Sequence, residues 1–114
     1  MHELSIVMSI VDLAAKEAAK HHAAAIEEIE LDIGHLSGIE MDSFEFAWKQ
    51  AVKNTILGTA TKKVNRIAGK AKCFDCNTHF DMAQLYDSCP SCGSHLSEIL
   101  SGKELKVKSL VLPD

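Results

Sequence analysis

Cys73-Phe74-Asp75-Cys76 and Cys89-Pro90-Ser91-Cys92 hold all four cysteines of a 114-residue chain, with twelve residues between the two pairs. Two Cys-x2-Cys knuckles present four thiolates that close tetrahedrally on one Zn²⁺, with backbone N–H groups turned toward the sulfurs. Twelve residues leave room for two short strands or a turn. A site of four thiolates keeps no open position for water or substrate, so the expected zinc holds structure and does no chemistry. A dithiol redox motif needs one pair beside a βαβ pattern, whereas a second pair at matched spacing is what a closed four-sulfur site requires. Disulfides belong to oxidising compartments. Residues 1–20 carry Asp12, Lys16, Glu17 and Lys20 rather than a basic start and an apolar run, so a cytoplasmic chain with reduced cysteines is expected.

Around the knuckles, residues 70–102 hold few large apolar side chains, Phe74, Phe80, Leu85, Leu96 and Leu100 among them. Such a segment cannot offset its ordering entropy without metal. Gly69-Lys70 leads in and Ser101-Gly102-Lys103 leads out. The segment 70–102 is thus expected to be an inserted zinc-binding module, carried by an α/β domain of residues 1–69 and 103–114. His79 and His95 each follow the second cysteine of a pair by three residues. They are either exposed knuckle residues that donate hydrogen bonds near the thiolates, or ligands that replace a thiolate under some conditions.

In the carrier domain, Leu4, Val7, Val11, Ala14, Ala15 and Ala18 fall on one stripe of a helix expected over 4–20, with an Asp12–Lys16 pair outside and His21 and His22 as solvated caps. Ile29, Leu31 and Ile33 alternate with Glu28, Glu30 and Asp32, the period of a strand with one dry face. Asp42 and Glu45 read as a capping box, with Met41 and Phe46 as its staple. A second helix then carries Phe44, Ala47, Trp48, Ala51, Val52 and Thr55 inward as far as Gly58, with Trp48 in the core. Residues 59–68 predict an edge strand guarded by Lys62, Lys63 and Arg66. The alternation of Glu104–Lys108 and the run Leu110-Val111-Leu112 predict a final, better-buried strand. The fold class is α/β: two helices packed on a small three-stranded sheet, with the zinc-ribbon-like module inserted.

The net charge is −4; residues 1–58 carry ten acidic and four basic side chains, and residues 59–114 six and eight. An acidic chain lacks the electrostatic footprint of a nucleic-acid binder. No apolar run approaches a membrane span. Neither an open catalytic metal site nor a nucleophile-and-base pair is visible, so an enzyme is not expected. With no phosphate-binding Gly-rich loop, any nucleotide dependence has to come from a partner.

Met1-His2-Glu3 offers a second kind of metal chemistry. The amine of Met1, the deprotonated amide nitrogen of His2 and the His2 imidazole can take neighbouring corners of a square plane, the geometry that suits Ni²⁺ or Cu²⁺. The amide or carboxylate of Glu3 completes it.

Three stretches together resemble the HypA/HybF family of hydrogenase nickel-incorporation proteins: Met1-His2-Glu3-Leu4-Ser5-Ile6, the two cysteine pairs with Pro90 and Gly93, and Gly102-Lys103-Glu104-Leu105-Lys106-Val107-Lys108-Ser109-Leu110. The resemblance spans the chain. It implies a metallochaperone that carries Ni(II) on Met1, His2 and Glu3, keeps a structural Zn(II) on Cys73, Cys76, Cys89 and Cys92, and works with the maturation GTPase HypB. The hydrogenase large-subunit precursor is then the recipient, and a weak homodimer is compatible with the reading. The alternative is a zinc-ribbon module that binds protein or nucleic acid, its best support being the basic run from Lys62 to Lys72.

Overall fold

A computed structural model describes residues 2–113. The elements in order are α1 (Glu3–Lys20), β1 (Glu28–Gly34), α2 (Met41–Ala51), β2 (Thr61–Ile67), β3 (Lys70–Cys73), β4 (His79–Asp81), β5 (Ser97–Ser101) and β6 (Leu105–Val111). They form two three-stranded sheets, ordered β2-β1-β6 and β4-β3-β5. In the first, Glu27 N–H donates to Val111 O and Gly34 N–H to Glu104 O, which sets β6 antiparallel to β1. Thr61 N–H donates to Glu27 O and His35 N–H to Ile67 O, which sets β2 parallel to β1 with α2 as the crossover. The expected α/β class is what forms.

The chain divides into two compact units: Met1–Leu31, Ile39–Val64 and Val107–Asp114 make one, and Asp32–Gly38 and Asn65–Lys106 the other. In the first unit α1 and α2 pack together, α1 burying Val7, Val11, Ala14 and Ala18. Leu4 and Ala15, expected on that stripe, are exposed, because the buried arc is narrower than the apolar one. The helix's ion pair is Lys20–Glu17, 3.1 Å, rather than Asp12–Lys16. His21 and His22 do cap the helix: Ala23 N–H reaches back to Ala18 O and His22 N–H to Ala19 O, with His22 at φ 55°. This is the left-handed helix stop in which the last carbonyls are satisfied from beyond the end.

The start of α2 differs from the expected capping box. Glu40 is the N-cap, and its carboxylate accepts from Asp42 N–H at 3.2 Å and Ser43 N–H at 2.7 Å. Its own N–H donates to Glu3 Oε2 at 3.2 Å, joining the starts of the two helices. A glutamate reaches the same orphan donors that Asp or Ser would satisfy. Phe46 is exposed, so it makes no staple with Met41. Phe44 and Trp48 are buried with ring centroids 5.9 Å apart. The helix ends at Ala51 with Val52 as its C-cap, well before Gly58, and turns carry the chain onward. Lys62 Nζ donates to both carboxylate oxygens of Glu45, at 2.8 and 2.9 Å, and lies 5.7 Å from the Trp48 ring.

Within β1, Ile29, Leu31 and Ile33 are buried, as the alternation requires. The strand β2 lies at a sheet edge, as its lysines suggested. The last strand contradicts its expectation: β6 is the other edge, with Leu105 and Val111 exposed. The central place goes to β1, so an apolar run at the chain's end is half-covered at most.

In the second unit, β3 pairs antiparallel with both neighbours, placing Phe80 and Ile99 beside Ala71 on one face. Leu36, Ala71, Cys73, Phe80, Met82 and Cys89 form its core, with Ile99 packed against them. Gly34 and Gly102 meet backbone to backbone there: a β-carbon on Gly34 would lie 1.8 Å from Gly102 O. That approach permits Leu36 N–H to donate to Gly102 O at 2.7 Å.

Candidate metal centre

Each knuckle is a tight turn with the same two backbone bonds. Cys73 N–H donates to Thr78 O and Asn77 N–H to Cys73 O; Cys89 N–H donates to Ser94 O and Gly93 N–H to Cys89 O. The residue after each second cysteine takes a left-handed conformation, Asn77 at φ 63° and Gly93 at φ 76°. Asn and Gly are the residues that enter this region at least cost. Their place directly behind each pair was a sequence signal for the second turn of the knuckle.

The two turns face each other. Cys73 Sγ lies 3.5 Å from Cys92 Sγ, Cys76 Sγ lies 3.6 Å from Cys89 Sγ, and all four sulfurs fall within 4.8 Å of one another. Sulfurs about 2.3 Å from a tetrahedral zinc stand roughly 3.8 Å apart. A disulfide needs about 2.05 Å, and all four cysteines are free. The donor set is soft, tetrahedral and closed, which fits Zn²⁺ and excludes an open coordination position. Among the described residues this is the one cluster of three or more metal-ligating side chains.

The first cysteine of each knuckle is buried and the second exposed. Hydrogen bonds surround the sulfurs: the Cys76 thiol donates to Thr78 Oγ1 at 3.1 Å, and Ser91 N–H donates to Cys89 Sγ at 3.4 Å. The hydroxyl and backbone of Thr78 lower the Cys76 thiol to about 6. At Cys92 the Ser94 N–H lowers the thiol, but the neighbouring thiols of Cys73, Cys76 and Cys89 together with burial outweigh it and push Cys92 up to about 12. Four sulfurs so close cannot all ionise without a cation, and binding one expels the remaining protons.

His79 and His95 lie outside this four-sulfur cluster. His79 stands exposed on β4, in register with Lys72 on β3. His95 is exposed with Nδ1 3.0 Å from Tyr86 O. The Thr78 hydroxyl carried no sequence signal, because hydroxyl residues are common in turns and have no spacing of their own, whereas Ser91 and Ser94 act through the backbone N–H groups that the knuckle pattern implies.

At the other candidate site, His2 is exposed and stands at the N-cap of α1 without a side-chain cap bond, while its carbonyl accepts from Ile6 N–H at 3.2 Å. Glu3 opens the helix, its carboxylate engaged by Glu40 N–H. Met1, expected to complete the chelate, lies outside the described residues.

Residues 1–112 match the family described as "Hydrogenase/urease nickel incorporation, metallochaperone, hypA". The chain belongs to the HypA family. A HypA relative described as a hydrogenase maturation factor, from Parabacteroides distasonis, is 49% identical over 112 residues, 98% of this chain and 97% of the relative. Another HypA with the same description, from Francisella philomiragia, is 37% identical over 111 residues, 97% and 98% of the two chains. The solution structure of the Ni metallochaperone HypA from Helicobacter pylori aligns with a TM-score of 0.69 at 28% identity, covering 98% of this chain and 97% of that one. A second HypA solution structure aligns with a TM-score of 0.71, also at 28% identity. The HypA fold and the four-cysteine cluster agree with what the motifs implied.

Proposed function

We propose that this chain is a nickel metallochaperone of hydrogenase maturation that carries Ni(II) on Met1, His2 and Glu3 and is held together by Zn(II) on Cys73, Cys76, Cys89 and Cys92. The observation that carries the reading is a HypA match that runs from residue 1 to residue 112 and so takes in both the terminal triplet and the cysteine pairs. An exposed His2 whose side chain makes no capping bond supports it.

On this reading the Met1 amine, the His2 amide nitrogen and the His2 imidazole supply three corners of a square plane, and Glu3 supplies the fourth. Zinc in the cysteine site fixes the second unit and takes no part in the transfer. His79 and His95 stay outside the zinc shell and act around it. Residues 70–102 serve as the zinc module, borne by 1–69 and 103–114. Transfer between proteins requires exchangeable ligands and no catalytic residue. The maturation GTPase HypB provides the nucleotide chemistry that this sequence lacks, and the hydrogenase large-subunit precursor receives the ion. The setting proposed is the cytoplasm; no helix among the described residues is long and apolar enough to cross a membrane.

The test is nickel calorimetry on the zinc-loaded chain and on His2→Ala, with zinc content measured in both. The expected result is one nickel site lost with zinc retained. Unchanged nickel affinity in His2→Ala removes the terminal site and returns the chain to a zinc-ribbon module without a nickel role.

A further inference from the structure

We propose that Ser97 is a positioning residue of the zinc site, donating its hydroxyl hydrogen to the Cys73 thiolate. The inference rests on reading the four cysteines as a zinc site.

Three observations converge on the pair. First, Ser97 Oγ is buried and has no hydrogen-bond partner, alone in this among the buried side-chain nitrogens and oxygens of the described residues. A buried hydroxyl left unpaired is destabilising, so its persistence calls for a partner that another state of the site provides.

Second, β3 and β5 pair with Cys73 opposite Ser97. Phe74 N–H donates to Leu96 O at 2.9 Å, while Cys73 N–H turns to the other neighbour and donates to Thr78 O. A bond displaced by one residue on each strand makes Cys73 and Ser97 a non-hydrogen-bonded pair. In that arrangement the facing side chains approach most closely, with Cα atoms about 4.5 Å apart on the same face of the sheet.

Third, the donors around the sulfurs are unevenly shared. Cys76 has Thr78 N–H, Cys89 has Ser91 N–H and Cys92 has Ser94 N–H. Among the described residues Cys73, fully buried, has only the Cys92 sulfur at 3.5 Å. A thiol can share its proton across that contact. Once metal has displaced the protons, both groups are thiolates on the ion and neither can donate to the other, which leaves the Cys73 sulfur without a hydrogen-bond donor. The Ser97 hydroxyl is the group placed to supply one, and an O–H to thiolate bond is charge-assisted.

A role confined to packing predicts different results from a role at the sulfur. Ser97→Ala and Ser97→Thr, as full chains, are compared with wild type for zinc affinity by competition with a chromophoric chelator, for the thiolate-to-metal charge-transfer band of the cobalt(II)-substituted protein, and for stability without metal. In Ser97→Ala the expected zinc affinity falls about tenfold, as for other groups that orient metal ligands. Its cobalt band moves to lower energy, because an unbonded thiolate gives up charge more readily, and the metal-free chain is no less stable than wild type. Ser97→Thr keeps the hydroxyl and restores both the affinity and the band. An unmoved band in Ser97→Ala overturns the inference whatever happens to affinity, and so do equal losses in the Ala and Thr variants. A wild-type chain without any cobalt–thiolate band overturns the zinc reading itself.

Discussion

Replacing Gly34 with Ala tests whether the second unit depends on one backbone approach. The added β-carbon would stand 1.8 Å from Gly102 O and 2.2 Å from Gly102 C, both backbone atoms with no side chain to swing aside. Restoring an ordinary contact requires the two segments to part by roughly 1.5 Å. Gly34 N–H to Glu104 O, at 2.8 Å, and Leu36 N–H to Gly102 O, at 2.7 Å, cross that gap. Stretched so far, neither remains a hydrogen bond. At about 1–3 kcal/mol for each of the two N–H donors left unsatisfied, the loss is about 2–6 kcal/mol. Gly93→Ala is the control: φ is 76° but nothing lies within 4 Å of the new carbon. Its cost is the left-handed conformation alone, about 1–2 kcal/mol. Urea unfolding of the zinc-loaded variants, followed by circular dichroism with zinc content checked, compares the two. A Gly34→Ala loss equal to or smaller than that of Gly93→Ala refutes the steric argument.

Cys92→Ala removes one thiolate from a closed site, so zinc is expected to leave and amide-exchange protection across β3, β4 and β5 to fall while α1 and α2 keep theirs; retained protection in the central strand β3 counts against metal-dependent order. Glu40 titrates with its carboxyl lowered from 4.5 by the side-chain and backbone bonds of Ser43 and the backbone of Asp42. The cap therefore contributes stability above the unfolded value of 4.5 and loses it as pH falls through the lower folded value, so the stability gap between wild type and Glu40→Ala should close in acid; a gap independent of pH excludes the carboxylate as the cap. Lys62→Met breaks a pair whose Glu45 partner is half-exposed, and the expected loss is about 1 kcal/mol or less by thermal unfolding.

Patterns long enough to repeat were legible in the sequence. Ile29, Leu31 and Ile33 announced a strand because three alternations leave one dry face. The four cysteines announced their cluster because ligand spacing is set by the metal. The second sheet was not legible: β3, β4 and β5 have four, three and five residues, too few to establish a period of two. The misplaced cap has a different cause. Asp42 and Glu45 satisfy the capping pattern locally, but Glu40 is placed by Glu3, 37 residues away in sequence, through a contact that no local rule sees. The burial of β6 was misjudged because hydrophobicity ranks a strand's appetite for cover, whereas its seat in the order β2-β1-β6 decides what cover there is. At the terminal triplet, sequence chemistry supplies the donors, and the structure adds the engagement of the Glu3 carboxylate by Glu40.

The matched backbone bonds of the two knuckles give each the same two-toothed grip on an ion. Twelve residues tether them, so an ion caught by one meets the other at an effective concentration in the millimolar range, a property of the linker and not of the solution. Metal exchange can then proceed half a site at a time, with one pair of thiolates holding the ion while the other changes hands.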